Sequence, residues 1–96
     1  MGLPVARLND LCTGHSCFPP RPNVQGSPTV FVNGRNWHRV GDLWGSHCCG
    51  LSCHGSVLVK GSSTVFVNGI PAGRITDPVA CGSVVMTGSH NVSAGG

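Results

Sequence analysis

Apolar residues along this chain come in bursts of four. "TVFV" occurs at 29–32 and again at 64–67, "SVLV" at 56–59 and "SVVM" at 83–86. Gly, Ser or Pro precedes each burst. Short β-branched and aromatic runs between turn residues predict strands. Asn-Gly follows both "TVFV" runs, at 33–34 and 68–69. That dipeptide tolerates the positive φ of a tight hairpin turn. Gly and Pro together supply 22 of the 96 residues, which opposes long helices. The expectation is a single small all-β domain, residues 1–96, with almost no helix.

The pattern repeats. "GSPTVFVNG" at 26–34 and "GSSTVFVNG" at 61–69 differ at one position. Beyond them, Arg39-Val40-Gly41-Asp42 answers Arg74-Ile75-Thr76-Asp77. Upstream, "HGSVLVKGS" at 54–62 answers "CGSVVMTGS" at 81–89. A third unit begins at Cys81 and runs out at Gly96, and its missing part stands at the start of the chain. "LPVARLND" (3–10) aligns with "IPAGRITD" (70–77), so only Met1 and Gly2 are left over. Three similar units, the last completed by the first, predict a closed ring with pseudo-threefold symmetry and adjacent chain ends. The alternative, a stacked solenoid, needs capping ends rather than ends that complete each other.

Composition narrows the function. The formal charge of +3 is carried by scattered bases with few aromatics, so no nucleic-acid surface is expected. No apolar run is long enough to span a bilayer, and residues 1–10 lack the features of a signal peptide. The expectation is folding in the cytoplasm, where six cysteines favour metal binding or free thiols over disulfides.

The acidic residues are Asp10, Asp42 and Asp77, each three positions after Arg7, Arg39 or Arg74. One such pair per unit indicates a structural role, with Asp bonding turn N–H groups and Arg pairing with the carboxylate. No carboxylate is then left for acid–base work, and no serine sits in a nucleophile elbow, so no enzyme is expected.

The chemistry that remains is in histidine and cysteine. His15 lies five residues after Asp10, His47 five after Asp42, and Cys81 four after Asp77, while His54 and Cys81 open their units. All fall in the connections between units, which a threefold ring gathers at one end. His15, His47, His54 and Cys81 form a candidate His3Cys set, suited to one structural zinc with no open position. Such an ion would staple an end with little core beneath it. The set is not forced. Cys17, Cys48 and Cys53 are alternates, and Cys12 and Cys49 weaker ones. His38 and His90, outside the connections, are expected to be surface or packing residues. Trp37, Trp44, Phe31 and Phe66 are left between core and interface.

These features resemble the PAAR-repeat proteins, named for Pro-Ala-Ala-Arg motifs. The motif appears here as "PVAR" (4–7) and "PAGR" (71–74), drifting to "NWHR" (36–39) in the middle copy. The resemblance covers nearly the whole chain. It implies a small cone of short strands with zinc near its apex. It further implies that the base caps the trimeric β-helix of a spike, VgrG-like or a phage central spike, in a contractile injection machine. Such machines are type VI secretion systems and related phage tails. By that resemblance the chain would be a sharpened tip that meets membranes only in transient piercing. It would be delivered outside the cell by the machine or form part of a virion tail. Family members also carry effector cargo. The repeats fill this chain, so a minimal tip without fused effector is expected. The competing expectation is a small exported binding module held by disulfides.

Overall fold

The computed structural model describes residues 2–96 and contains no helix among them. Three two-stranded antiparallel hairpins recur. Strands β2 (Phe31–Val32) and β3 (Arg35–Asn36) pair across Asn33-Gly34, and β6 (Phe66–Val67) and β7 (Ile70–Pro71) pair across Asn68-Gly69. Asn33 and Gly34 have φ of 53° and 76°, and Asn68 and Gly69 55° and 75°, as a type I′ hairpin turn requires. The third hairpin joins the two ends of the chain. β1 (Leu3–Pro4) pairs with β8 (Ser93–Ala94), Leu3 opposite Ala94, and so closes the ring.

A ring of backbone hydrogen bonds runs round the pseudo-threefold axis. The Ala6 N–H donates to the Gly73 carbonyl at 2.8 Å, Gly73 to His38 at 2.9 Å, and His38 to Ala6 at 3.0 Å. These three residues occupy one repeat position, and only one carries a large side chain. The space is shared. A Cβ on Gly73 would meet Leu58 Cδ2 at 2.7 Å and the His38 carbonyl at 3.0 Å. Gly73 and Ala6 therefore leave room for the fully buried His38.

The Arg–Asp pairs are superimposable in their chemistry. Asp10 Oδ2 accepts from the Arg7 backbone N–H at 2.7 Å and from its Nε at 3.0 Å. Asp42 and Asp77 accept the same two bonds from Arg39 and Arg74, at 2.9 and 3.0 Å in each. Each Nη2 completes a fork on Oδ1. The hydrogen bonds to Asp10 and Asp77 raise the pKa values of Arg7 and Arg74. All three carboxylates are buried, so each pair is a fixed corner of the ring.

The apolar core has two parts. Ala6, Cys12, Trp44, Leu58, Val79 and Val85 form one, and Val5, Val32 and Ala94 the other, with Trp37 packed against it. Trp44 and Val32 are buried, whereas Phe31 and Phe66 are 55% and 56% exposed.

Two segments depart from the expected strands. "SVVM" forms only single bridges, Pro78 to Val84 and Cys12 to Val85. Conversely, the connection 42–54 and the three residues after it form the longest strands of the fold. β4 (Leu43–Cys49) and β5 (Ser52–Val57) make a hairpin turned at Gly50, whose φ is 63°. Trp44 anchors the base of this hairpin in the core, but Leu51 at its tip is fully exposed, so apolar burial does not hold the tip in place.

Candidate metal centre

His47 on β4 and His54 on β5 are directly opposite in register. His15 comes from a tight turn closed by reciprocal backbone bonds with Phe18, at 3.0 and 2.8 Å. Cys81 comes from the 79–83 turn, where the Val79 N–H donates to the Ser83 carbonyl at 2.8 Å. One ligand atom from each of His15, His47, His54 and Cys81 lies within 4.8 Å of all the others. Four donors from three separate segments thus converge on one point.

The imidazoles turn their Nε2 atoms towards each other. His54 Nε2 lies 2.8 Å from His47 Nε2 and 3.1 Å from His15 Nε2. His47 Nδ1 lies 2.8 Å from the Pro19 carbonyl and must donate to it, which leaves the Nε2 lone pair aimed inward. A proton on His54 Nε2 can bridge such contacts, and a cation among the rings can satisfy all three Nε2 atoms at once. Ligands about 2.0 Å from a tetrahedral zinc stand about 3.3 Å apart, close to the spacing found here. The donor set fits a metal ion on its chemistry and its spacing.

Burial pushes the Cys81 thiol up, but other contacts outweigh it. Hydrogen bonds from the Ser83 side chain and backbone, one from His54, and the charge of Arg21 bring it down to about 5. Cys81 is thereby a thiolate at neutral pH, the form that ligates metal.

Two neighbours complete the surroundings. Phe18 packs on all three imidazoles, with ring centroids 4.8 Å from His15, 4.9 Å from His47 and 4.4 Å from His54. It limits the access of water to the cluster. Arg21 is buried; its Nη1 donates to Cys12 Sγ at 3.2 Å and its Nη2 to Cys81 Sγ at 3.3 Å, and it lies over the Trp44 ring. Sequence reasoning missed both residues. The available signal for Arg21 was that, unlike Arg7, Arg39 and Arg74, it has no Asp three positions on, a feature it shares with Arg35.

The other cysteines go elsewhere. Cys17 pairs with Cys49 and Cys48 with Cys53 in disulfides, so Cys17, Cys48 and Cys53 offer no thiol to the cluster. Cys12 is free but buried in the core. His38 is also apart from the cluster, with Nδ1 2.7 Å from the Gln25 carbonyl and its pKa lowered by burial. His90 is exposed.

Comparison with known proteins adds a family. The profile described as "PAAR motif" matches residues 23–87. Two toxins of Pseudomonas aeruginosa, the NAD(P)(+) glycohydrolase toxin Tse6 and the (p)ppApp synthetase toxin Tas1, are each 38% identical to this chain over 79 residues. The match covers 76% of this chain and 18% of each toxin, so the chain spans only a small part of these relatives.

Proposed function

The chain belongs to the PAAR-motif family, and from that premise we propose that it is the non-enzymatic tip of a trimeric β-helical spike in a contractile injection machine. One observation carries this reading. The ring Ala6–His38–Gly73 and its three Arg–Asp corners give the fold a threefold frame made from a single chain. Such a frame can meet three identical subunits with three similar surfaces. A spike that ends in β-strands exposes unpaired edges, and a β-rich cap can cover them. Phe31 and Phe66, half exposed at equivalent positions, supply apolar contact area for that purpose.

The whole chain, residues 1–96, acts as one unit in this reading. His15, His47, His54 and Cys81 would hold one zinc ion. When bound, that ion supplies a structural cross-link between three segments. The chain's own residues orient the ligands: Pro19 fixes His47, Arg21 and Ser83 hold Cys81 as thiolate, and Phe18 shields the imidazoles. The commitment of Asp10, Asp42 and Asp77 to arginines supports a role without acid–base chemistry. By family resemblance the tip is exported with its spike and helps it pierce an envelope, and effector cargo travels with the same assembly.

The two disulfides favour a second reading, an exported binding module that needs no spike. Native mass spectrometry of the chain mixed with a trimeric β-helical spike protein of a contractile injection machine separates the two. The tip reading expects one chain per spike trimer, with binding weakened when Phe31 and Phe66 are both replaced by Ser. No association, or three chains per trimer, would overturn it.

A further inference from the structure

Five of the six cysteines lie outside the metal cluster, and the placement of four of them, Cys17, Cys48, Cys49 and Cys53, follows the cluster closely. On the β4–β5 hairpin the pair His47–His54 is followed in register by Cys48–Cys53 and then by Cys49–Ser52. Successive strand residues face opposite sides. Cys48 therefore reaches across the hairpin to Cys53, with Cα atoms 4.1 Å apart, and Cys49 reaches the other way to Cys17, with Cα atoms 5.4 Å apart. Cys17 lies in the turn that carries His15. One pair thus ties the His15 turn to the His47 strand, and the other ties the His47 strand to the His54 strand. Each of these histidines stands within two residues of a bonded cysteine. Cys81 alone is on a segment that neither pair reaches.

We propose that these two disulfides are a second staple, formed by oxidation, that holds the metal-bearing end of the fold together when the metal is lost. The proposal rests on the metal-centre reading for what the first staple is. Apolar packing is not a substitute at the hairpin tip, where Leu51 is fully exposed. Cys17, Cys48 and Cys53 are exposed and Cys49 partly so, within reach of an oxidant. Each pair of thiols loses two protons and two electrons as its S–S bond forms. A small disulfide takes them up and is cleaved to two thiols. In a reducing compartment the metal carries the cross-link. In an oxidising one the cystines make it permanent, where metal chelators or acid would strip the ion.

The experiment uses the full chain, equilibrated either with oxidised glutathione or with dithiothreitol. Thiols are counted in denaturant, and each sample is melted with and without a zinc chelator. The expected count is two thiols per chain after oxidation, from Cys12 and Cys81, with peptide mapping recovering Cys17–Cys49 and Cys48–Cys53. Metal-free oxidised chain is expected to melt about 10 °C above metal-free reduced chain. Replacing Cys49 and Cys53 by Ser should remove that difference. Six thiols after oxidation, cystines that involve Cys12 or Cys81, or equal metal-free midpoints would each overturn the staple. A chelator without effect on the reduced chain overturns the metal reading instead, and the oxidised-minus-reduced difference still reports the cystines.

Discussion

The Gly95 carbonyl accepts a hydrogen bond from Arg74 Nη1 at 3.0 Å, standing where an asparagine side chain stands in the other two units. Arg7 Nη1 donates to Asn33 Oδ1 at 3.2 Å, and Arg39 Nη1 to Asn68 Oδ1 at 3.1 Å. A serine shares each acceptor: Ser89 donates to Asn33, Ser27 to Asn68, and Ser62 to the Gly95 carbonyl. The split unit thus replaces a side-chain oxygen with a backbone oxygen and keeps the corner intact.

The three serines should be energetically equivalent. Each is buried, and each Oγ accepts from the backbone N–H groups two and three residues on, as Ser62 does from Thr64 and Val65. Ser27→Ala, Ser62→Ala and Ser89→Ala should each cost about 1–3 kcal/mol by leaving such groups unpaired. Urea midpoints of the three variants check this. A negligible cost at Ser62 alone would mean that the Gly95 corner is not equivalent to the other two.

Thr76 is strained and can be relieved. Its φ is 69°, a left-handed conformation costly for a β-branched residue. The equivalent positions hold Asn9 at 73° and Gly41 at 87°. Thr76→Gly should stabilise the fold by about 1 kcal/mol, and Gly41→Ala should cost about as much. The Gly41 variant isolates backbone strain, because a Cβ there would meet nothing within 4 Å. Thermal melts of both variants give the comparison.

Cys81 predicts a pH dependence for the reduced, metal-free chain. Its folded pKa of about 5 lies below the ordinary 9.0. A depressed acid contributes stability that is complete above the unfolded value and lost as pH falls through the folded one. Stability from this group should therefore rise between about pH 5 and 9, and Cys81→Ser should abolish that component. Thiolate absorbance in the ultraviolet follows the titration directly. A Cys81 that titrates as an ordinary thiol contradicts the contacts with Ser83, His54 and Arg21.

The ring was legible in the sequence because its parts are local and repeated. Asn33-Gly34 and Asn68-Gly69 specify their hairpins, and the alignment of 3–10 with 70–77 implies the β1–β8 closure. The β4–β5 hairpin was not legible. Gly45, Ser46, His47, Cys48 and Cys49 have the composition of a loop, and their strand geometry is fixed by cross-strand partners. The repeat alignment put Cys81 first but left Cys17, Cys48 and Cys53 as alternates, because spacing does not say which way Cys48 and Cys53 face on their strands or which residue Cys17 meets. Phe18 and Arg21 act through contacts with residues far along the chain, His54 and Cys81, which no local pattern encodes.

The most direct test of the central claim is metal content by elemental analysis, on chain purified under reducing conditions without added metal. His54 is the residue to change alongside, because its Nε2 faces both other histidines. The account predicts about one zinc per chain, and its loss with a lowered melting midpoint in His54→Ala. Metal-free protein with the fold intact, or zinc retained in His54→Ala, would contradict it.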